Sequence, residues 1–125
     1  MPAQRPEDVD NLFARALNAA DLDALTALYE PQASLTPAPG KKVTGTAAIR
    51  EALGQFVAAK PRMDLTARVV AQAGDVALVT ASWRLAMTGP DGKPAEMSGQ
   101  SLEVVRRQPA GHWLFVIDEP FGAGA

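Results

Sequence analysis

The sequence predicts an α+β fold in which three helices come first and a curved antiparallel sheet follows. Before Pro61 the apolar residues recur at three- and four-residue spacing, which is the period of an amphipathic helix. After Pro61 they alternate with other residues at every second position, which is the period of a half-buried strand. Helices followed by a series of strands with short turns are typical of an α+β domain.

The first helix is predicted from one apolar stripe. Five residues at three- and four-residue spacing share a face: Val9, Leu12, Phe13, Ala16 and Leu17. Such a stripe packs on the core of a small domain, and the opposite face of the helix is then solvated.

A second, short helix is predicted from Leu22 to Tyr29. Asp21 has a side chain suited to an N-cap, and Pro31 is expected to end the helix because it has no backbone N–H. Residues 37–45 contain two prolines and two glycines, so they are predicted to form a loop with a short extended piece.

A third helix is predicted from about Thr46 to Ala59. Ile49, Leu53 and Phe56 recur at helical spacing and are expected to face inward. The Lys60-Pro61 pair is expected to end this helix, because the residue before a proline is disfavoured in helical conformation.

Four strands are predicted after the third helix, and Gly- or Pro-containing turns separate them. The alternating segments are residues 65–71, Val76 to Thr88, about Ala95 to Arg107, and His112 to Asp118. Since each turn is short, consecutive strands are expected to pair as an antiparallel meander.

Composition excludes several classes of function. The chain has 12 basic and 14 acidic residues without a long run of either sign, which argues against binding of nucleic acid. It has no cysteine and one histidine, so we expect no disulfide, no metal site and no cofactor. Since no segment has the length of a membrane span or a signal peptide, a cytoplasmic protein without a membrane partner is expected.

The order of elements between Phe13 and Arg50 carries a resemblance to a known family. An amphipathic helix, a break at residues 18–21, a short helix and the segment Gly45–Arg50 resemble the opening of the NTF2-like superfamily, in particular its SnoaL-like and DUF4440 groups. The best-understood relative is ketosteroid isomerase. The resemblance implies one cone-shaped domain over residues 1–125, with three N-terminal helices packed on a curved sheet around a pocket for a small hydrophobic ligand.

The resemblance also implies a homodimer, because relatives commonly pair through the outer face of the sheet. Arg84, Thr80 and Arg106 are expected on that face. Closed two-fold pairs are the commonest soluble oligomers, which agrees with this expectation.

The resemblance carries over only part of the isomerase's chemistry. That enzyme uses an aspartate base together with a tyrosine and a protonated aspartate at the substrate oxygen. Phe13 stands where the tyrosine would be, and Pro37 stands where the base would be. Only Glu103 falls where the acidic donor would be, so the isomerase activity itself is not implied.

The remaining candidates follow from the predicted inward faces of the helices and strands and, for the last strand, from the resemblance. Glu103 and Asp118 are expected to share the pocket as a catalytic acid and base. The predicted substrate-binding residues are Phe13, Tyr29, Phe56, Trp83, Leu85, Met87, Ser101 and Val116. Alternatively, each carboxylate ends at the pocket mouth or pairs with an arginine such as Arg62 or Arg68.

Two classes of function remain open, and the sequence does not decide whether the chain is an enzyme. The first is an isomerase, cyclase or hydratase that acts on a hydrophobic carbonyl compound. The second is a non-catalytic ligand-binding or dimeric association module. Four small residues on the predicted inner surface favour a real cavity: Ala33, Ala38, Ala52 and Ala81.

Overall fold

The computed structural model describes residues 2–122, so Met1 and residues 123–125 of the predicted domain lie outside it. Two helices, two strands and a third helix make up the N-terminal half, and the elements that follow are all strands. In chain order the elements are α1 (Asp8–Asn18), α2 (Leu22–Thr26), β1 (Tyr29–Ala38), β2 (Lys41–Thr44), α3 (Thr46–Ala58), β3 (Arg62–Ala73), β4 (Val76–Thr88), β5 (Pro94–Gln100), β6 (Leu102–Arg107) and β7 (Trp113–Glu119).

Helix α1 lies against the sheet, and its C-terminal end is fixed to β3. Val9 and Leu17 are buried, as the predicted stripe requires. The side chain of Asn18 accepts a hydrogen bond from the backbone N–H of Met63 at 2.6 Å and donates one to the Met63 carbonyl oxygen at 2.9 Å. Because α1 is fixed at this point, any polar residue on its inner face is held over the sheet.

The second helix is shorter than predicted, and a strand follows it. Asp21 is the N-cap and accepts from the backbone N–H of Ala24 at 3.0 Å. The helix ends at Thr26, however, and Tyr29 is already the first residue of β1. The expected helix end at Pro31 is therefore wrong, and Tyr29 lies on a strand.

Strand β1 tolerates two prolines because its pairing is irregular near both. The parallel register with β7 shifts between Tyr29 and Ser34, which brackets Pro31. The antiparallel register with β2 shifts between Leu35 and Ala38, which brackets Pro37. Proline is tolerated in strands at such irregularities, because no ladder hydrogen bond is then lost. The predicted loop at 37–45 is accordingly a strand end and a hairpin.

The sheet is mixed rather than antiparallel throughout. Its seven strands within residues 2–122 follow the order β2-β1-β7-β6-β4-β3, and β5 pairs with β4 beside β6. Strands β1 and β7 run parallel, whereas the other neighbours run antiparallel. The helices do not all precede the sheet either, since the β1–β2 hairpin lies between α2 and α3.

The long third strand of the prediction divides in two at Ser101. Strand β5 pairs with the second half of β4, and β6 pairs with its first half. At the junction the Ser101 hydroxyl accepts from the backbone N–H of Ala81 at 3.0 Å. Thr80 donates its hydroxyl to the Ser101 carbonyl oxygen at 2.6 Å and is buried, so Thr80 does not belong to the exposed outer face.

A β-bulge in β7 decides which side chains of that strand face the core. Val105 pairs with Phe115 and Val104 pairs with Ile117, so Val116 is an extra residue between the two pairs. Strict alternation would place Phe115 and Asp118 on opposite faces, but the inserted residue brings both to the buried face. The prediction that Val116 points inward is therefore wrong, because Phe115 occupies the inward position.

Among residues 2–122, no helix combines the length and the apolar character that crossing a membrane requires.

Candidate acid–base site

Three carboxyl groups converge in the interior between α1 and the sheet. Glu103 and Asp118 are directly paired residues of β6 and β7, and Asp10 comes from the inner face of α1. Their exposed fractions are 5% for Asp10, 3% for Glu103 and 4% for Asp118. The alternative that Glu103 and Asp118 end at the pocket mouth is therefore excluded.

Hydrogen bonds connect this cluster. Tyr29 donates its hydroxyl to Oδ2 of Asp118 at 2.5 Å. The carboxyl groups of Asp10 and Glu103 face each other closely enough to share a proton. Two buried oxygens, Oδ2 of Asp10 and Oε1 of Glu103, have no ordinary donor. A proton held between Asp10 and Glu103 satisfies an acceptor that would otherwise be costly to bury.

The absence of solvent raises the pKa of each acid. The pKa of Glu103 is raised to about 11. Burial is the main cause, and the negative charges of Asp10 and Asp118 contribute to the same shift. Burial also raises the pKa of Asp118 to about 7, against the hydrogen bond from Tyr29, which lowers it. The pKa of Asp10 rises to about 6, again mainly through burial. Glu103 is thus the neutral member of the cluster at pH 7, and Asp10 and Asp118 carry its negative charge.

Basic residues do not neutralise the cluster. Every lysine and arginine among residues 2–122 is exposed, including Arg62 and Arg68. The ion pairs in this part of the chain join other residues, for example Arg106 with Glu30 at 2.8 Å. Pairing of Glu103 or Asp118 with Arg62 or Arg68 is therefore not observed. Among the described residues, no group of acids and histidines has the arrangement of a metal site.

The carboxyl groups line a small cavity of about 40 Å³, which we call the acid cavity. Its other walls include Phe13, Trp83, Ser101 and Phe115. A space of this size holds water or one small polar group. The many small residues of the inner surface therefore do not leave a large chamber here.

A second, apolar pocket of about 50 Å³ adjoins the acid cavity. The two spaces share walls formed by Phe13, Met63, Trp83 and Pro120. The remaining lining residues of the apolar pocket are Leu17, Leu35, Pro37, Leu53, Phe56, Leu85, Met97 and Phe121. A ligand could thus place a polar group in the acid cavity and the apolar atoms attached to that group in the apolar pocket.

The predicted substrate-binding residues separate into groups. Phe13 and Trp83 line both spaces, whereas Ser101 lines the acid cavity and Phe56 and Leu85 line the apolar pocket. Tyr29 is buried behind Asp118, in contact with the ring of Phe115 at a centroid distance of 4.9 Å.

Two predicted residues lie elsewhere. Met87 lines an outer groove beside α3 rather than the acid cavity or the apolar pocket. Val116 is half-buried at the bulge of β7, and Phe115 lines the acid cavity in its place.

Asp10 is the functional candidate that the sequence reasoning missed. It lies three residues before Phe13 and seven before Leu17, so it shares their stripe on α1. A carboxylate at an apolar position of an amphipathic helix is the signal that could have identified it, because such a position is normally buried.

Contacts on several sides hold the indole of Trp83 in place. Its indole N–H donates to the carbonyl oxygen of Pro120 at 2.6 Å, and the ring of Phe121 meets it edge-on at 5.7 Å. The indole also lies close to Gly99, where an added Cβ would be 2.8 Å from the ring. Only glycine allows this close approach of β5 to the indole.

Comparison with solved structures supports the fold. A candidate dehydratase of the NTF2-like family from Streptomyces avermitilis is 20% identical, with a TM-score of 0.75 and 88% of each chain covered. A ketosteroid isomerase-like protein from Erwinia carotovora atroseptica is 22% identical, with a TM-score of 0.76 and coverage of 90% of this chain and 89% of that one. A candidate calcium/calmodulin-dependent protein kinase type II association domain from Thiobacillus denitrificans is 21% identical, with a TM-score of 0.71 and coverage of 95% and 94%.

Sequence comparison identifies the family. A search of curated proteins finds no match to this chain. The SnoaL-like domain, in contrast, matches residues 9–113, which include α2, α3, nearly all of α1 and most of the sheet. The chain therefore belongs to the SnoaL-like domain family.

Proposed function

We propose that this chain is a small-molecule enzyme that performs acid–base chemistry on a mostly apolar carbonyl compound, as an isomerase, cyclase or hydratase. The observation that carries the proposal is the burial of Glu103 with Asp10 and Asp118 at a cavity, without a basic residue beside them. Burying carboxyl groups costs stability, because they lose their hydration. An apolar core at this place would avoid that cost, which favours a chemical role for the cluster.

In this proposal Glu103 is the acid. Its raised pKa keeps the carboxyl group protonated at neutral pH. A neutral carboxyl group donates a hydrogen bond to a carbonyl oxygen, on which negative charge develops when the neighbouring carbon loses a proton. Asp10 accepts from the same carboxyl group in the free protein and so keeps its proton directed into the cluster.

Asp118 is the base. A pKa of about 7 makes it partly ionised at neutral pH, which suits a group that takes up and returns a proton. The proton leaves the carbon next to the carbonyl group, Asp118 holds it, and it returns to the same or another carbon of the ligand. Tyr29 fixes the orientation of the Asp118 carboxylate through its 2.5 Å hydrogen bond.

Deuterium exchange into a small methyl ketone in heavy water tests this proposal without knowledge of the natural substrate. The protein should accelerate exchange at the carbons next to the carbonyl group. Glu103→Ala and Asp118→Asn should each reduce that rate by on the order of a hundredfold or more. Glu96→Gln, an exposed acid on β5, is the matched control and should exchange at the original rate. A rate equal to that of buffer, or equal rates for all variants, would contradict the proposal.

A second candidate function is a non-catalytic ligand-binding or association module. Two observations favour it: the acid cavity and the apolar pocket are far below the roughly 300–1,000 Å³ of ordinary ligand sites, and one solved structure of the same fold is a candidate kinase association domain. Binding or dimer formation without any deuterium exchange would support this second function.

We propose a homodimer for either function. The outer face of the sheet carries a row of paired residues, Leu78 on β4, Val104 on β6 and Ile117 on β7. Ile117 is 39% exposed, which is unusual for a large aliphatic side chain in the middle of a sheet. Arg84 and Arg106 are exposed on the sheet and would lie at the edge of this row.

A further inference from the structure

An outer groove of about 620 Å³ lies between the β1–β2 hairpin, helix α3 and the ends of β4 and β5. Its half-buried surface is apolar and includes Ala38, Val43, Ala48, Ala52 and Met87. Three exposed polar residues accompany it: Lys41, Glu51 and Gln55. The groove has the size of a small-molecule site, whereas the acid cavity and the apolar pocket do not.

The groove adjoins the apolar pocket. Pro37, Phe56 and Met97 line both spaces, so these three side chains form their common wall. The apolar pocket in turn shares Phe13 and Trp83 with the acid cavity. The acid cavity, the apolar pocket and the outer groove therefore lie in a row, and aromatic and aliphatic side chains form the walls between them.

We infer that the ligand of this site is an elongated amphiphile, with a carbonyl head at Glu103 and a linear apolar tail that passes the Phe56–Met97 wall into the outer groove. The position of the head rests on the proposed function, and the tail is the new element. The acid cavity has room for one small polar group, so the bulk of any ligand must lie elsewhere. The groove is the apolar space next in line.

The common wall is suited to admit such a tail. Met97 is 37% exposed, so it is not held in a close-packed core. Methionine is unbranched and changes shape at low cost, and Phe56 is only half-buried. The branched side chains that close most cores would resist this rearrangement more strongly.

Three methionines are natural reporters along the path. Met63 lines the acid cavity and the apolar pocket, Met97 lines the apolar pocket and the groove, and Met87 lines the groove. Carbon-13 labelling of the methionine methyl groups allows each to be followed by NMR during titration with pentanone, heptanone, nonanone and undecanone, all as methyl ketones. We expect pentanone to shift Met63, and the longer ketones to shift Met97 and then Met87 as well.

The same series should show affinity that rises with chain length. Each methylene that enters the groove should strengthen binding by roughly fourfold, the equivalent of about 0.8 kcal/mol. Ala48→Phe fills the groove from α3 and should weaken undecanone binding at least tenfold, whereas pentanone binding should not change. Ala47→Phe is the matched control, since Ala47 is the adjacent but exposed residue of the same helix.

The outcomes separate this inference from the proposed function. If pentanone shifts Met63 but longer ketones neither bind more tightly nor shift Met87, the tail site is wrong and the proposed function stands. If Ala48→Phe and Ala47→Phe bind undecanone equally while circular dichroism shows both folded, the tail site is again wrong. If no ketone shifts Met63, both proposals fail. Because the methyl titration uses the unaltered chain, it decides the question even if Ala48→Phe does not fold.

Discussion

The hydroxyl oxygen of Tyr29 lies 2.5 Å from Oδ2 of Asp118, so the first residue of β1 is joined to the last buried residue of β7. The two residues are far apart in sequence, and both are buried. The bond links the parallel strand pair to the acid cavity. It therefore contributes to the fold and to the chemistry of the site through one contact.

Removal of this donor should affect stability and ionisation together. In Tyr29→Phe the Asp118 carboxylate loses its hydrogen bond, so its pKa should rise above about 7. The free energy of unfolding should fall by about 1–3 kcal/mol at neutral pH, since a buried acceptor is left without a partner. Urea denaturation measures the second effect, and carbon-13 titration of the carboxyl group measures the first. A double-mutant cycle with Asp118→Asn that shows no coupling would contradict this account.

The buried acids should make the protein most stable at mildly acidic pH. The pKa values of Asp10, Glu103 and Asp118 are all raised in the folded chain, to about 6, 11 and 7. The folded state thus retains protons that the unfolded chain has already lost at pH values above about 4. The free energy of unfolding should fall as pH rises from there through neutrality, by up to about 1.4 kcal/mol per pH unit for each such proton. Denaturant midpoints measured across this range test the sign.

The contribution of Glu103 to that slope can be isolated. Glu103→Gln keeps a neutral side chain of similar size at every pH, so the variant should lose stability less steeply on the alkaline side. Glu96→Gln, which changes an exposed acid, should keep the original slope. A protein whose stability rises steadily from pH 5 to pH 8 would show that these carboxyl groups are not buried as described.

The outer face of the sheet should hold two copies of the chain together. Sedimentation equilibrium should give twice the 13.1 kDa mass of one chain at micromolar concentration. Ile117→Glu places a charge in the apolar row with Leu78 and Val104 and should yield a folded monomer. If the unaltered protein sediments only at 13.1 kDa, or if Ile117→Glu remains a dimer, this interface is wrong.

Steroid isomerisation should be absent. Phe13 cannot donate a hydrogen bond to a developing oxyanion, and loss of one such donor costs on the order of a hundred- to a thousandfold. Pro37, which lines the apolar pocket, cannot act as a base. The absorbance of the conjugated product formed from a Δ5-3-ketosteroid should therefore not rise above background. Turnover that disappears in Glu103→Gln would show that the roles assigned to the positions of Phe13 and Pro37 are wrong, or that Asp118 serves as the base for this substrate.

The sequence was most informative where local pattern and burial coincide. The stripe on α1 and the alternation along β3 and β4 predicted those elements, because side chains on a regular element face the core at a fixed period. The inward position of Glu103 on β6 was expected for the same reason, and that of Asp118 on β7 was implied by the resemblance; the structure places both residues inside.

The pattern failed where tertiary contacts override local preference. The β1 strand contains Pro31 and Pro37, which indicate a break unless the irregular pairing with β7 and β2 is known. The bulge at Val116 shifts the alternation of β7 by one residue, and only the partner strand reveals it. Asp10 was missed although it shares the apolar stripe of α1, because Glu103, the carboxyl group that it faces, is remote in sequence.

The indole of Trp83 rests against the backbone of Gly99, where even a methyl group would lie 2.8 Å from the ring. The indole is part of the wall shared by the acid cavity and the apolar pocket, and Gly99 lines neither space. Gly99 therefore influences the position of the indole without touching a ligand. A larger residue there would displace the indole and so change the shape of both spaces that it lines. A substitution at Gly99 can therefore change the size of ligand that the acid cavity and the apolar pocket accept. The carboxyl groups that transfer protons stay the same.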